Sequence, residues 1–327
     1  MPDNGNSQDY TEVWQKVDSL EGKGLYRMAL TEVNKIFVTA ASNRDHDQVI
    51  KSVLYELKYN AYLEEDDYVL GIARLESLIA EAPSPSKEIL HSLLAEVYWG
   101  YYSGNSWKFN QRTNVVEADL EDVRTWDLKR IAIKIRQHYA MSLLNESISQ
   151  SRNIADFSLI LNYGNEDNTI RPTIYDFLGH RALDFFKSTT FSIPGPAETF
   201  VVDDPRYFYS TSTFLKMNTV THDSLNTRFL ATRVLHALTD FHARKKNVKS
   251  LFYLELERLK FAMSLSTLPN KNELYYQGLE RMAEANKAFP YSSEAWYEVA
   301  LYHSSLGNGY SHVGDTTIRW KKKMAYE

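Results

Sequence analysis

The sequence predicts an all-α protein, built as an irregular solenoid of stacked helix pairs with one long irregular insertion. Three observations predict it. Apolar residues recur at i, i+3, i+4 and i+7 through most of the 327-residue chain. Prolines mark the ends of those runs, at Pro83 and Pro85, at Pro172 and at Pro290. A strand-like pattern surfaces at one short place only, Thr199-Phe200-Val201-Val202.

Residues 1–9 are polar and are expected to form a flexible tail. From Tyr10, Val13, Trp14, Val17 and Leu20 mark a first helix, closed by Gly22 and Gly24. Leu25 to Ala41 follows with Ala29, Leu30, Val33, Ile36 and Phe37 on one face, and Asn43 is placed to cap the next helix, which carries Val49 to Tyr59. The acidic run Glu64-Glu65-Asp66-Asp67 opens a helix over Tyr68 to Ala82, because carboxylates at a helix N-terminus favour the macrodipole. Ser86 opens a segment through Tyr102 that is apolar on nearly every side, as a helix buried between neighbours would be. Gly104, Asn105 and Asn114 break the rhythm over 103–124. It resumes with Leu128, Ile131, Ile135, Tyr139 and Leu143, and a shorter element follows around Ile154 to Leu161.

Arg171 to Phe186 is the densest stretch. Pro172 suits a first helical turn, Ile174, Phe177, Leu178, Ala182 and Phe185 form an apolar face, and Asp176, His180 and Asp184 stand four residues apart on another. Residues 10–186 read as one repeat-like helical region. Residues 187–223 read as an irregular loop insertion with short strands possible at most: Ile193-Pro194-Gly195-Pro196, Asp204-Pro205 and a Ser/Thr-rich tract interrupt helices. Residues 224–327 return to helices over Leu225–Ala243, Val248–Leu265 and Glu273–Phe289, with a fourth from Ser293. In this last region Ala285 and Phe289 close a helix before Pro290, and Trp296, Val299, Ala300 and Gly307 follow 6, 9, 10 and 17 residues after the proline. That is the spacing of the tetratricopeptide pattern, in which small residues let paired helices approach closely. Ala80 to Pro83, followed by Ile89 and Leu93, echoes it. Lys321 to Glu327 reads as the opening of the second helix of a pair, and the chain is expected to be a fragment of something longer.

Composition excludes several classes. The absence of cysteine removes disulfides, thiolate metal sites and a cysteine nucleophile. A net charge of −5, with only Arg244-Lys245-Lys246 and Lys321-Lys322-Lys323 as short basic tracts, argues against a nucleic-acid partner. No apolar run reaches the ~18 residues of a membrane span, so no membrane insertion is expected. No Gly-x-Ser-x-Gly, phosphate-binding glycine loop or His-Glu-x-x-His occurs, and neither a cofactor nor enzymatic activity is expected. The 22 Tyr, 15 Phe and 6 Trp suit helix-to-helix interfaces.

Three constellations carry a chemical alternative beside a packing one. The Asp176–His180–Asp184 face is a polar seam pinning helices in register, or else a carboxylate–imidazole ladder supplying ligands to a metal-assisted hydrolase. The His236, Asp240 and His242 set offers that hydrolase further ligands. The aromatics Tyr98, Tyr101, Tyr102 and Trp107, with Trp99, line a groove for a peptide or glycan, or else fill the core. In each case the packing reading is favoured, because no ligand set or nucleophile is complete.

The order of Ile89–Trp99, Arg124-Thr125-Trp126-Asp127, Arg171–Phe186 and Asp204-Pro205-Arg206-Tyr207-Phe208 resembles the N-terminal helical region of very large alpha-2-macroglobulin-family proteins of Bacteroides-type bacteria. The resemblance runs from about Trp14 to the end. It implies a helical scaffold or protein-interaction module in the cell envelope, attached to tandem β-sandwich domains of the same polypeptide. Other envelope proteins or proteases are the further partners it implies. The family implies a protease-trapping role for such a parent. It transfers no bait or thioester residue to this chain, since the thioester needs a cysteine.

Overall fold

The computed structural model describes residues 10–63, 67–111, 122–161, 167–188, 200–219, 226–313 and 316–326, the side chains of 67, 68 and 107–111 excepted. It is all helical. In order the helices are α1 (Thr11–Gly22), α2 (Tyr26–Asn43), α3 (His46–Leu63), α4 (Asp67–Glu81), α5 (Ser86–Gln111), α6 (Leu128–Met141), α7 (Glu146–Ser151), α8 (Ile174–Lys187), α9 (Thr211–Phe214), α10 (Thr227–Lys245), α11 (Val248–Leu265), α12 (Lys271–Ala285), α13 (Ser292–Asn308) and α14 (Lys321–Tyr326). Short 3-10 turns lie at Val123–Thr125, Ile154–Phe157, Pro205–Phe208 and Thr316–Ile318. Among the described residues there is no strand, only the isolated bridges Asn153 to Thr173 and Val202 to Ser266. The chain divides into two compact units, and the division falls in the sequence inside α8, between Ala182 and Leu183.

In the first unit consecutive helices pack on one another: α1 on α2, α2 on α3, α4 on α5 and α5 on α6. Trp14, Val17 and Leu20 of α1 meet Ala29, Val33, Ile36 and Ala40 of α2 and Val49 and Tyr59 of α3. All of these except Ala40 are residues whose 3.6-residue spacing announced the helices. Asn43 does not cap α3. It is the last residue of α2, Arg44 turns the chain through the left-handed region at φ 56°, and Asp45 Oδ1 takes the Gln48 N–H at 3.2 Å. Aspartate accepts that orphan donor as well as asparagine does, so the cap moved two residues without loss. α5 runs past Tyr102 to Gln111, with non-helical angles at Asn105. Leu90, Leu94, Ala95 and Tyr98 on it are buried, while Glu96 alone of residues 89–98 is exposed.

In the second unit α10 packs on α11, α11 on α12, α12 on α13 and α13 on α14. Asn226 and Asn247 cap α10 and α11 through their side-chain oxygens. At the tetratricopeptide-like junction the inward positions of α13 are Ala295, Val299, His303 and Gly307, whereas Trp296 points outward and is 38% exposed. Gly307 is needed for the approach of α14: a Cβ there would lie 2.6 Å from Lys322 Cγ and 2.9 Å from its backbone nitrogen.

The described part of the 187–223 stretch, residues 200–219, is core as much as connection. Val202, Tyr207, Phe208, Phe214 and Met217 are buried with Phe252, Leu256 and Leu259 of α11 and Leu274, Leu279 and Met282 of α12. The extended piece expected at 199–202 reduces to one bridge. Val202 donates to Leu265 O and accepts from the Thr267 N–H; residue 199 lies outside the described residues. The turn 205–209 is clamped by cations. Arg258, 2% exposed, donates to Tyr207 O at 3.0 Å and Tyr209 O at 2.8 Å, and Arg281 donates to Phe208 O at 3.1 Å. Glu255 balances both, at 3.3 Å from Arg258 and 2.7 Å from Arg281. Burial pulls the Arg258 guanidinium down to about 10, which leaves it charged at neutral pH.

Candidate functional site

The Asp176–His180–Asp184 face is not one site. Thr173 and Asp176 form a reciprocal cap at the start of α8. The Thr173 N–H donates to Asp176 Oδ2 at 3.0 Å and its hydroxyl donates to the same oxygen at 2.8 Å. The Asp176 N–H returns a bond to Thr173 Oγ1 at 3.2 Å. Pro172 therefore precedes the helix instead of opening its first turn, and its carbonyl accepts the Ile154 N–H. Asp176 is fully buried and His180 is 8% exposed, but Asp184 faces outward. The regular four-residue spacing places the three on one stripe, and the packing of α8 buries only the first two turns of it.

The second set is dispersed as well. His236 Nε2 meets Leu215 O at 3.2 Å and its ring lies 5.4 Å from Phe214, while Asp240 accepts from Arg244 one turn on, at 3.0 Å. His242 is buried on a different face of α10, beside Phe241. Among the described residues no three His, Asp or Glu side chains converge to hold a metal ion.

The aromatic groove does not survive. Tyr98, Tyr101 and Tyr102 are 0%, 9% and 7% exposed, so none of the three rings faces an incoming ligand. The Trp107 side chain lies outside the described residues. The tyrosines are core, as the cover on nearly every side of α5 requires. The Tyr98 hydroxyl donates to Glu76 Oε1 at 3.2 Å, and burial followed by that carboxylate's charge pushes the phenol well above its ordinary value.

Against Tyr98 lies a pair that the sequence did not reveal. His91 of α5 and His138 of α6 are 7% and 8% exposed, with their Nδ1 atoms 3.0 Å apart and ring centroids 5.2 Å apart. Tyr98 stacks on His138 at 5.8 Å and also on Trp126, over which Arg130 sits at 4.5 Å. Burial pushes both imidazoles below their ordinary range. For His138 the neighbouring His91 and Lys134 add to it, bringing the value to about 3. For His91 the Lys87 charge adds to burial and Glu88 opposes it. One signal was there to be read: His138 falls seven residues after Ile131, on the buried stripe of α6, where a histidine needs a partner. The identity of that partner, 47 residues away, was not.

No protein-family model matches the chain, and no curated protein and no solved structure matches it.

Proposed function

We propose that this chain is a non-catalytic helical scaffold and protein-interaction module, serving in the cell envelope as the N-terminal part of a large alpha-2-macroglobulin-type polypeptide whose parent traps proteases. The observation that carries the interaction reading is the outward side of α13. Trp296, Tyr297 and Leu301 are 38%, 63% and 45% exposed, one or two residues from the buried Ala295, Val299 and His303. Tyr297 and Leu301 lie one turn apart on the same face, and Trp296 flanks them; exposed large apolar and aromatic side chains set close together mark surfaces that other proteins cover. The non-catalytic reading draws support from the fate of three of the six candidate groups: Asp176 is engaged in a helix cap, His236 with a backbone carbonyl and Asp240 with Arg244. The envelope setting and the partner in cis rest on the family resemblance.

The test is a titration of this chain with a separately produced fragment holding the β-sandwich domains of the macroglobulin-type polypeptide, followed by calorimetry. A one-to-one complex is expected, weakened at least about tenfold by Trp296→Ala with Leu301→Glu, the loss of two interface anchors. Absence of any complex would remove the docking role, and equal affinities would move it off α13.

A further inference from the structure

We propose that His91 and His138 form a pH-sensitive latch between α5 and α6, closed while a lone pair on one imidazole accepts from the other and opened by acid. The contact runs Nδ1 to Nδ1 at 3.0 Å, and a hydrogen bond there needs one N–H and one lone pair. Two neutral rings meet that requirement in only one way: one carries its proton on Nδ1, the other on Nε2. A first added proton leaves the bond in place but puts a positive charge in a site nearly closed to water. A second removes the remaining lone pair and sets two N–H groups against each other. Both changes push α6 away from α5.

The surroundings do little to shelter a cation. On α5, Lys87 opposes protonation, and Glu88 favours it. Glu88 also takes the Ser84 hydroxyl at 2.9 Å and the Asn145 amide. On α6, Lys134 opposes protonation as well, and Arg130 lies over the Trp126 ring that stacks with Tyr98. From α4, Glu76 is engaged by the Tyr98 hydroxyl; from α8, Arg181 donates to Ser92 at 2.9 Å and to Glu96 at 3.2 Å. One carboxylate against two lysines leaves the neutral pair favoured.

The sign follows. An unfolded histidine takes up its proton near the ordinary value of about 6.5, whereas the folded pair resists it. The latch's contribution is therefore fully present above about pH 6.5 and lost as pH falls below it, about tenfold in the folding constant per pH unit for each ring held neutral. Urea unfolding of the full chain and of His138→Asn, whose amide takes the place of Nδ1 and so can still bond His91 but cannot charge, tests this. From pH 6.5 to 4.5 the natural chain's folding constant should fall about a hundredfold more than the variant's. Parallel falls would overturn the latch. Should the variant fail to fold, side-chain nitrogen spectra of the 15N-histidine-labelled natural chain decide. Two different neutral tautomers, one with its proton on Nδ1, should persist below pH 5.5; two imidazoliums at pH 5.5 in a folded chain would end the proposal.

Discussion

Asp176 and Asp184 carry the same side chain on the same helix, eight residues apart, and do different work because one is inside and the other is not. Asp176 accepts two bonds from Thr173 at a buried helix start, where no water is at hand to replace them. Asp176→Ala is expected to cost about 1–2 kcal/mol of stability, in the upper range for a lost cap, whereas Asp184→Ala should stay within about 0.5 kcal/mol of the natural chain. Urea denaturation at neutral pH measures both, and equal costs would show that the exposed carboxylate has a partner of comparable worth. The four-residue spacing was legible from the sequence. Which of the three polar groups the interior would claim was not, since spacing gives a stripe and only the neighbours of α8 give its depth.

At the scale of elements the instructive one is the turn at Pro205–Phe208. Its irregularity was plain from Asp204-Pro205 and the Ser/Thr-rich tract, but its place in the core was not. Tyr207, Phe208 and Phe214 are buried against α11 and α12, and the backbone they carry along turns the carbonyls of Tyr207, Phe208 and Tyr209 toward those helices. Those carbonyls need donors. Arg258 and Arg281 supply them, with Glu255 between the two guanidinium groups and the Thr211 hydroxyl on its other oxygen. An arginine in an amphipathic helix reads from sequence as a solvent-facing residue, so α11 gave no warning of this clamp. Gly278 serves the same junction. A Cβ there would stand 2.8 Å from Leu259 Cδ2 and 3.1 Å from Phe208 O, which is why α12 can lie against the turn. Arg258→Ala leaves Glu255 and two carbonyls short of a donor at a largely buried junction, and about 3–5 kcal/mol of stability should be lost. A loss under about 1 kcal/mol in urea, followed by circular dichroism, would mean that apolar contacts alone hold the turn.

For the whole molecule, α1 through α6 in one unit and α10 through α14 in the other pack on their sequence neighbours, which is the arrangement a helix-pair stack requires. No helix among the described residues is long and apolar enough to cross a membrane. The histidines and carboxylates that invited a catalytic reading are spread through such a stack as caps, ring contacts and ion pairs. The purified chain is accordingly expected to carry only substoichiometric zinc, manganese or iron by elemental analysis, unchanged by His180→Ala. A stoichiometric metal lost in that variant would restore the hydrolase reading and remove the scaffold one.

By itself the sequence determined the longer helices, their order and most of their buried faces, though not the short α7 and α9 or the last turns of α5, because a helix is closed by bonds four residues apart and announces its inner side every three or four residues. It also determined the absence of thiol chemistry. Tertiary structure alone decided that Asp45, not Asn43, caps α3, that Tyr98, Tyr101 and Tyr102 face inward, that the stretch after Asp204 belongs to the core, and that His91 meets His138. The physical reason is the range of the information. Periodicity is local, whereas the depth of a face and the meeting of two side chains 47 residues apart depend on how finished helices pack, and no short window of residues contains that.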